Sequence, residues 1–404
     1  MTGVNSNTAA GTKRHYRLLN MVDGGSLSDL AKKGVLSYVE ELYNPGNFFS
    51  TVYHVVFKEQ DLSVPIRNKT IEVLLLKRTR HIPKIDFLVN LIYYIIQIIR
   101  VPRKYGIDVI RARGPYLAGF LSLAAGKLNG IPVVVSLGGD HRLAQQMEGE
   151  YFLHNRLLSW KWEEFVLRNA DRVFCPNEFT RNYVKNLGVK GALAVTVPFL
   201  PTERVFHQKG VQSPVRRKLG WRNQPIVLAV ARLTPYKQVD VLVDTIPLIL
   251  KAVPRAKFVF VGGGPLMNSL AARCRELNIT NSVRFEGFQP TDQVINYLAA
   301  ASIVWIPMSG FGVLEAAAAG KPIVAFDVDW HKEFIENNVS GVLVRNRDRA
   351  QLAEAIIDLL RKPTKARKLG RNAKAKVRRY YDPRKLVDLE TEIYKTTIRG
   401  HHKQ

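Results

Sequence analysis

Short runs of apolar, β-branched residues alternate along almost the whole chain with longer stretches whose apolar positions recur every third or fourth residue. YRLLNMV (16–22), TVYHVVF (51–57), IEVLLL (71–76), IDVIRA (107–112), IPVVVSL (131–137), DRVFCP (171–176) and ALAVTVP (192–198) predict buried strands of a first sheet. Between them, SLSDLAKKGVLSYVEELY and YLAGFLSLAAGKLNG predict helices. Apolar strands separated by helices predict a parallel, doubly wound sheet covered on both faces. The rhythm stops at PFLPTERVFHQKGVQSPVRRKLGWRNQP, where prolines and charges replace periodicity. It resumes with IVLAVARL, KFVFVGGG, VRFEGF, IVWIPM, PIVAFD and GVLVRN. The expected organisation is a disordered tail (1–15), an N-terminal domain (16–200), a linker (201–224), a second domain (225–380) and a C-terminal helix with a basic tail (381–404). The fold class is α/β, with two Rossmann-like doubly wound parallel-sheet domains facing across a cleft. Ligands of such sheets sit at the C-terminal ends of the strands.

At 404 residues the chain is long enough for two such cores. Its two cysteines, Cys175 and Cys274, fall in different halves, so neither a disulfide framework nor a CxxC metal site can be built, which fits a reducing compartment. The first residues, MTGVNSNTAAGTKRHYR, lack the apolar run of a signal peptide, and a cytoplasmic location is expected. The net charge of +26 changes the picture more, because it calls for an anionic partner: membrane lipid, nucleic acid or a phosphorylated substrate. A nucleic-acid site would interleave aromatics with the basic tail as stacking platforms. RRYYDPRK offers only Tyr380 and Tyr381, so nucleic acid is not expected. The segment IDFLVNLIYYIIQIIR (85–100) is strongly apolar but shorter than the roughly 20 residues of a membrane span. KRTRHIPK precedes it and RVPRK follows. Two readings stay open: a core helix under the first sheet, or a helix lying in an anionic membrane surface on its inner face, with its cations on lipid phosphates.

Three strand ends of the second domain carry candidate chemistry. ARLTPYKQVD places Arg232 and Lys237 on one loop, a fork and a point charge suited to a diphosphate. VFVGGGPL places Gly262, Gly263 and Gly264 after a strand, where backbone can approach a ligand closely. It matches neither a P-loop nor GxGxxG. SGFGVLEAAAAGKPIVA (309–325) places Ser309, Gly310, Phe311 and Gly312 in a turn before a helix. The helix start is a ready anion site, so the amides from Gly312 through Val313 to Leu314 would meet phosphates. Glu315, in the first turn, would accept two hydrogen bonds from a ribose diol. Singly, each feature is explained by a solvated surface pair, a tight turn or a cap. Together they favour a nucleoside diphosphate.

These motifs, with VRFEGF and SGVLV, resemble the donor-binding half of the retaining glycosyltransferases of family four, which have the GT-B fold. IDVIRARGPYLAGFLSLAAGKLNGIPVVVSLGGD resembles the same family's acceptor half, and YYDPRKLVDLETEIYKTTI its last helix, which crosses back onto the first domain. The resemblance implies that Arg232 and Lys237 hold the donor diphosphate and Glu315 the ribose. Phe288 and the Gly262–Gly264 loop would shape the base and phosphate pocket. It implies a UDP- or GDP-sugar donor, a glycan or lipid-linked acceptor, and no metal or other cofactor. DVD (327–329) has the form of a metal-binding pair but follows the PIVAF strand, expected to lie away from the phosphate loops.

Two departures concern the sugar end of the site. The family usually has a second glutamate ahead of the one matching Glu315, whereas here the ungapped position is Pro307, and a short deletion would bring Ser309 there. The family's cleft histidine is replaced by Gly138, with Asp140 and His141 just beyond it. On the acceptor side, Gly24 and Gly25 precede an S-x-x-D capping pattern at Ser26 and Asp29, and Tyr43 and Asn44 lie in a second candidate loop, YNPGNFF. The alternatives are a nucleotide-sugar epimerase and a non-catalytic binder of nucleotide sugar, polyanion or membrane.

Overall fold

The computed structural model describes residues 15–23, 26–32, 36–79, 86–150, 152–153, 155–189, 192–195, 214–308, 310 and 312–401. The first sheet comprises β1 (Arg17–Val22), β2 (Thr51–Val56), β3 (Ile71–Leu75), β4 (Val109–Arg113), β5 (Val133–Ser136), β6 (Arg172–Cys175) and β7 (Ala192–Val195). These strands are parallel and run in the order β3-β2-β1-β4-β5-β6-β7. The second sheet comprises β8 (Ile226–Val230), β9 (Lys257–Val261), β10 (Val283–Phe285), β11 (Ile303–Ile306), β12 (Ile323–Phe326) and β13 (Val342–Val344). It too is parallel, in the order β10-β9-β8-β11-β12-β13. In each sheet the winding reverses beside the first strand, between β1 and β4 and between β8 and β11. Those two crevices are where ligands of open parallel sheets bind.

The first domain's helices are α1 (Leu27–Lys32), α2 (Leu36–Tyr43), α3 (Asp86–Ile98), α4 (Val101–Tyr105), α5 (Leu117–Asn129), α6 (His141–Glu148), α7 (Arg156–Asn169) and α8 (Glu178–Asn186). The second domain has α9 (Pro214–Lys218), α10 (Val239–Ala252), α11 (Met267–Glu276), α12 (Thr291–Ala300), α13 (Gly312–Ala318), α14 (His331–Phe334), α15 (Arg349–Arg361) and α16 (Pro363–Tyr380). Residues 214–224, read from sequence as the end of a linker, belong to this second core. Val215 and Trp221 are buried in it, and the Arg216 guanidinium donates to the carbonyls of Gln224 (2.8 Å) and Ala300 (2.7 Å). Two apolar anchors in a basic, proline-containing stretch were too sparse to register as periodicity. The rest of the proposed linker, like the proposed tail up to residue 14, lies outside the described residues.

After α16, α17 (Pro383–His401) returns to the first sheet. Its Tyr394 is buried among Leu18, Phe49 and Phe174, on the face opposite the one covered by α3, α5 and α7. Glu390 pairs with the buried Arg111 of β4, whose Nε also donates to Ser136 Oγ at 2.9 Å. The Arg111 guanidinium lies over the rings of Phe174 and Tyr394, 5.5 and 5.8 Å from their centroids. Replacing Glu390 by alanine strands that buried cation. The expected loss is about 3–5 kcal/mol of stability, read as a lower urea midpoint.

Candidate active site

The site is built at the C-terminal ends of β8, β9 and β11. Beyond β8 the chain runs back along the turn after β9: Ala231 N–H donates to Val261 O (3.1 Å), Leu233 N–H to Gly263 O (2.9 Å) and Leu266 N–H to Leu233 O (3.0 Å). This contact explains the glycine run. Gly262 and Gly264 have φ of +144° and +158°, and a Cβ on either would run into the carbonyl oxygen of Ala231 or Leu233. The glycines therefore pin the loop that carries Arg232. Gly262 N–H also donates to Gly287 O at 2.8 Å, which brings the β10 loop and the half-exposed Phe288 alongside.

Arg232 projects into solvent and reaches Glu148 Oε1 of α6 at 3.7 Å. Lys237 closes a tight turn, Pro235–Lys237, and points instead under the β11 loop, where its Nζ donates to Met308 O at 3.4 Å. A Cβ on Gly310, whose φ is +153°, would stand 3.5 Å from that ammonium. Burial, reinforced by the nearby Arg232 charge, pushes Lys237 down to about 8, although Asp329 and Glu148 oppose the shift. Gly312, Val313, Leu314 and Glu315 form the first turn of α13. Ala316, Ala317 and Ala318 behind them are buried, and α16 crosses the helix closely. A side chain on Gly370 of α16 would collide with the Gly320 backbone after α13. Small residues let two helices and the sheet meet there, leaving Glu315 as the only carboxylate of that helix. Burial pushes Glu315 up to about 7. Ser309 and Phe311 lie outside the described residues.

The first domain meets this loop through α6, which packs on the Pro235–Lys237 turn. Asp140 caps α6 by accepting from Leu143 N–H at 2.9 Å, and burial raises its carboxyl, with the Asp329 charge adding to the shift. His141 stands edge-on to Tyr116 with ring centroids 5.7 Å apart. Its Nε2 is buried with no hydrogen-bond partner among the described residues, and burial pushes it down to about 4, so the ring is neutral. Gly138 precedes them with open space where a side chain would stand.

Asp329 corrects the sequence expectation for DVD. Because β12 lies next to β11, its following loop returns to the phosphate loops, and Asp329 acts electrostatically on both Lys237 and Asp140. The signal was the strand order, which places a fifth strand beside the fourth, and the left-handed backbone of Asp329 (φ 54°) marks the turn. Among the described residues no three His, Cys, Asp or Glu side chains form a metal-binding group.

Tyr43 and Asn44 do not stand in the cleft. Tyr43 stacks on the buried His54 at 4.3 Å. The Asn44 amide is consumed by Phe49 (N–H to Oδ1 and Nδ2 to O, both 2.9 Å) and by Thr70 (2.8 Å), so it shapes its own turn rather than meeting a ligand. Gly24 and Gly25 lie outside the described residues. Ser26 does cap α1, accepting from Asp29 N–H at 3.2 Å. Beside it opens a cleft of about 630 Å³ that sequence reading missed, walled by Val55, Phe57, Leu117 and Phe152 and carrying Asp23, Asp61 and Glu150. Asp23 accepts from Tyr116 and Ala118 N–H at 2.6 Å each at the start of α5, and burial pushes it up to about 6.

Two family models match the chain: Glycosyl transferases group 1 over residues 211–376 and Glycosyltransferase Family 4 over residues 54–204. A GDP-mannose-dependent alpha-(1-6)-phosphatidylinositol monomannoside mannosyltransferase of Mycobacterium tuberculosis is 28% identical over 203 residues, 47% of this chain and 53% of its own. The chain thus spans about half the length of that relative. Among solved structures, sucrose-phosphate synthase from Thermosynechococcus elongatus superposes with a TM-score of 0.79 at 20% identity, covering 95% of this chain and 100% of its own. Anabaena Alr3699/HepE in complex with UDP and glucose superposes at 0.74 and 18% identity, with the same coverages.

Proposed function

Because the chain belongs to the GT-B glycosyltransferases of family 4, we propose that it moves a sugar from a UDP- or GDP-linked donor to a glycan or lipid-linked acceptor, with retention at the anomeric carbon. The observation that carries the proposal is that the loops after β8 and β11 meet at their shared crevice. The Lys237 ammonium, from the loop that also carries Arg232, donates to Met308 O and would stand 3.5 Å from a Cβ on Gly310, just ahead of the helix whose first turn holds Glu315. In this reading Arg232 and Lys237 would face the charge that grows on a departing diphosphate and would stabilise it in a half-dry site. Glu315 would take the ribose hydroxyls. Phe288, exposed beside the glycine turn, offers a wall for the base.

The acceptor enters from the first domain, between the 630 Å³ cleft and the Asp140–His141 corner of α6. In the proposed chemistry the acceptor hydroxyl attacks the face from which the diphosphate leaves, and a donor phosphate oxygen takes its proton. Such a step needs no protein nucleophile, and Pro307 in place of the family's glutamate is compatible with it. Lys237, held under the β11 loop, and the more exposed Arg232 would do the work a divalent ion does elsewhere, so the reaction is proposed to be metal-independent. A cytoplasmic protein held peripherally at the inner face of a membrane completes the reading; among the described residues no helix is long and apolar enough to cross one.

The test is product analysis with UDP- and GDP-sugars against glycan and lipid-linked acceptors. The expected product keeps the donor's anomeric configuration by NMR, and chelation by EDTA leaves the rate unchanged. Inversion would overturn the mechanism. A requirement for a divalent ion would overturn metal independence. Nucleotide binding without any product or donor turnover would favour a non-catalytic binder, the reading that Pro307 and Gly138 support.

A further inference from the structure

The helix α3 settles neither of the two sequence readings alone, because it is half core and half surface. Leu91, Tyr94 and Ile98 are buried in the first domain's core, while Phe87, Leu88, Ile92, Tyr93 and Ile96 are exposed. The exposed set continues onto the neighbouring helices, with Leu128 on α5 and Leu157, Leu158 and Phe165 on α7. Nine of the fifteen exposed large hydrophobic residues among the described ones therefore lie on three helices that pack side by side over one face of one sheet. Monomeric surfaces seldom gather apolar residues in this way without a partner.

The charges around the patch decide which partner. Arg100, Arg103, Lys104, Lys127 and Lys161 are exposed at its edges. The acids nearby are engaged: Asp86 with Arg78, and Glu164 with Arg168 at 2.6 Å. An apolar centre with a cationic rim complements lipid tails beneath anionic phosphates. A second copy of the chain fits worse, since a two-fold interface would bring two cationic rims together.

The patch also adjoins the first-domain cleft. Phe57, in the cleft wall, packs edge-on against Tyr94 of α3 at 5.2 Å, and Phe152 does so against Phe87 at 6.0 Å. We propose that the α3–α5–α7 face docks on an anionic lipid bilayer and holds the adjoining cleft at its surface, so that acceptors anchored in that bilayer enter from the side. This inference rests on the transfer reading above for its acceptor, but not for its docking.

The experiment is co-sedimentation of the whole chain with phosphatidylcholine vesicles, with and without phosphatidylglycerol, at low and physiological salt. Wild type should bind the anionic vesicles, and salt should weaken that binding. The double substitution Ile92→Asp and Ile96→Asp, at positions 51% and 44% exposed, should weaken it at least about tenfold while leaving nucleotide-induced thermal stabilisation intact. Unchanged binding in the variant, equal binding to neutral vesicles, or a dimer that the same substitutions dissociate would each overturn the docking face. Vesicle binding that persists when no nucleotide binds would leave the face standing and sink the transfer reading instead.

Discussion

Replacing Lys237 by methionine is expected to lower kcat/KM about a thousandfold, roughly 4 kcal/mol of transition-state stabilisation, and yet to raise the melting temperature. The first effect follows from the cation's place under the β11 loop, where a departing diphosphate would be held. The second follows from its burial. Lys237 falls from an ordinary 10.5 to about 8, so the folded protein disfavours the charged form. A lysine lowered on folding contributes stability above pH 10.5 that is lost as pH falls through 8. At pH 7 the fold therefore carries a penalty of up to about 3 kcal/mol that methionine removes while keeping the apolar stem. Arg232 is mostly exposed, and its removal should cost less, about tenfold to a hundredfold in kcat/KM with no gain in stability. Parallel kinetics and thermal melts on the two variants check both halves. A Lys237→Met protein that is fully active, or inactive only because it is unfolded, would remove the residue from the proposed role.

Replacing Glu315 by glutamine should raise the KM for the donor about a hundredfold, because a charged acceptor of two ribose hydrogen bonds becomes a neutral one, with an NH2 donor facing one of the two hydroxyls. The substitution should also stabilise the free protein at pH 8. Glu315 rises from 4.5 to about 7 on folding. A carboxyl raised in this way favours the folded state below pH 4.5, and that contribution is lost as pH climbs through 7. Above pH 7 the ionised form costs the fold up to about 3 kcal/mol, which glutamine avoids, so the variant's stability should vary less between pH 4.5 and 7. Taken with Lys237, the wild-type donor kcat/KM should follow a narrow bell. It falls below about pH 7 as Glu315 is protonated and above about pH 8 as Lys237 loses its proton. A flat profile across that range would show that neither group binds the donor in the charge state assigned here.

Much of this was written in local pattern. Strands with apolar residues at nearly every position, such as IVLAVARL and PIVAFD, can only be buried on both faces, and the strands the pattern predicts appear as β1 to β13. The three donor-side loops were legible because each follows such a strand and carries its own punctuation. What the pattern did not carry was contact between distant segments. GGGP reads as a ligand loop, and the pattern did not show that two of its glycines, Gly262 and Gly264, are also required by the backbone of Ala231 and Leu233. Asn44 looked available and is spent on Phe49 and Thr70. Asp329 looked remote and stands by Lys237, because sheet order, not sequence distance, sets its neighbours. The 85–100 segment could not be resolved from periodicity at all, since both of its faces are apolar and only packing shows which one the core uses.

The nucleotide site is tested most directly by thermal stabilisation of wild type, Lys237→Met and Glu315→Gln with UDP, GDP, ADP and their sugar conjugates. One nucleotide series should raise the wild-type midpoint, by about 2.7 kcal/mol of stability at a hundredfold excess over Kd, and should leave both variants where they stand without ligand. A midpoint that no nucleotide moves, or one that moves equally in all three proteins, would contradict the assignment of these residues to a nucleotide-sugar donor.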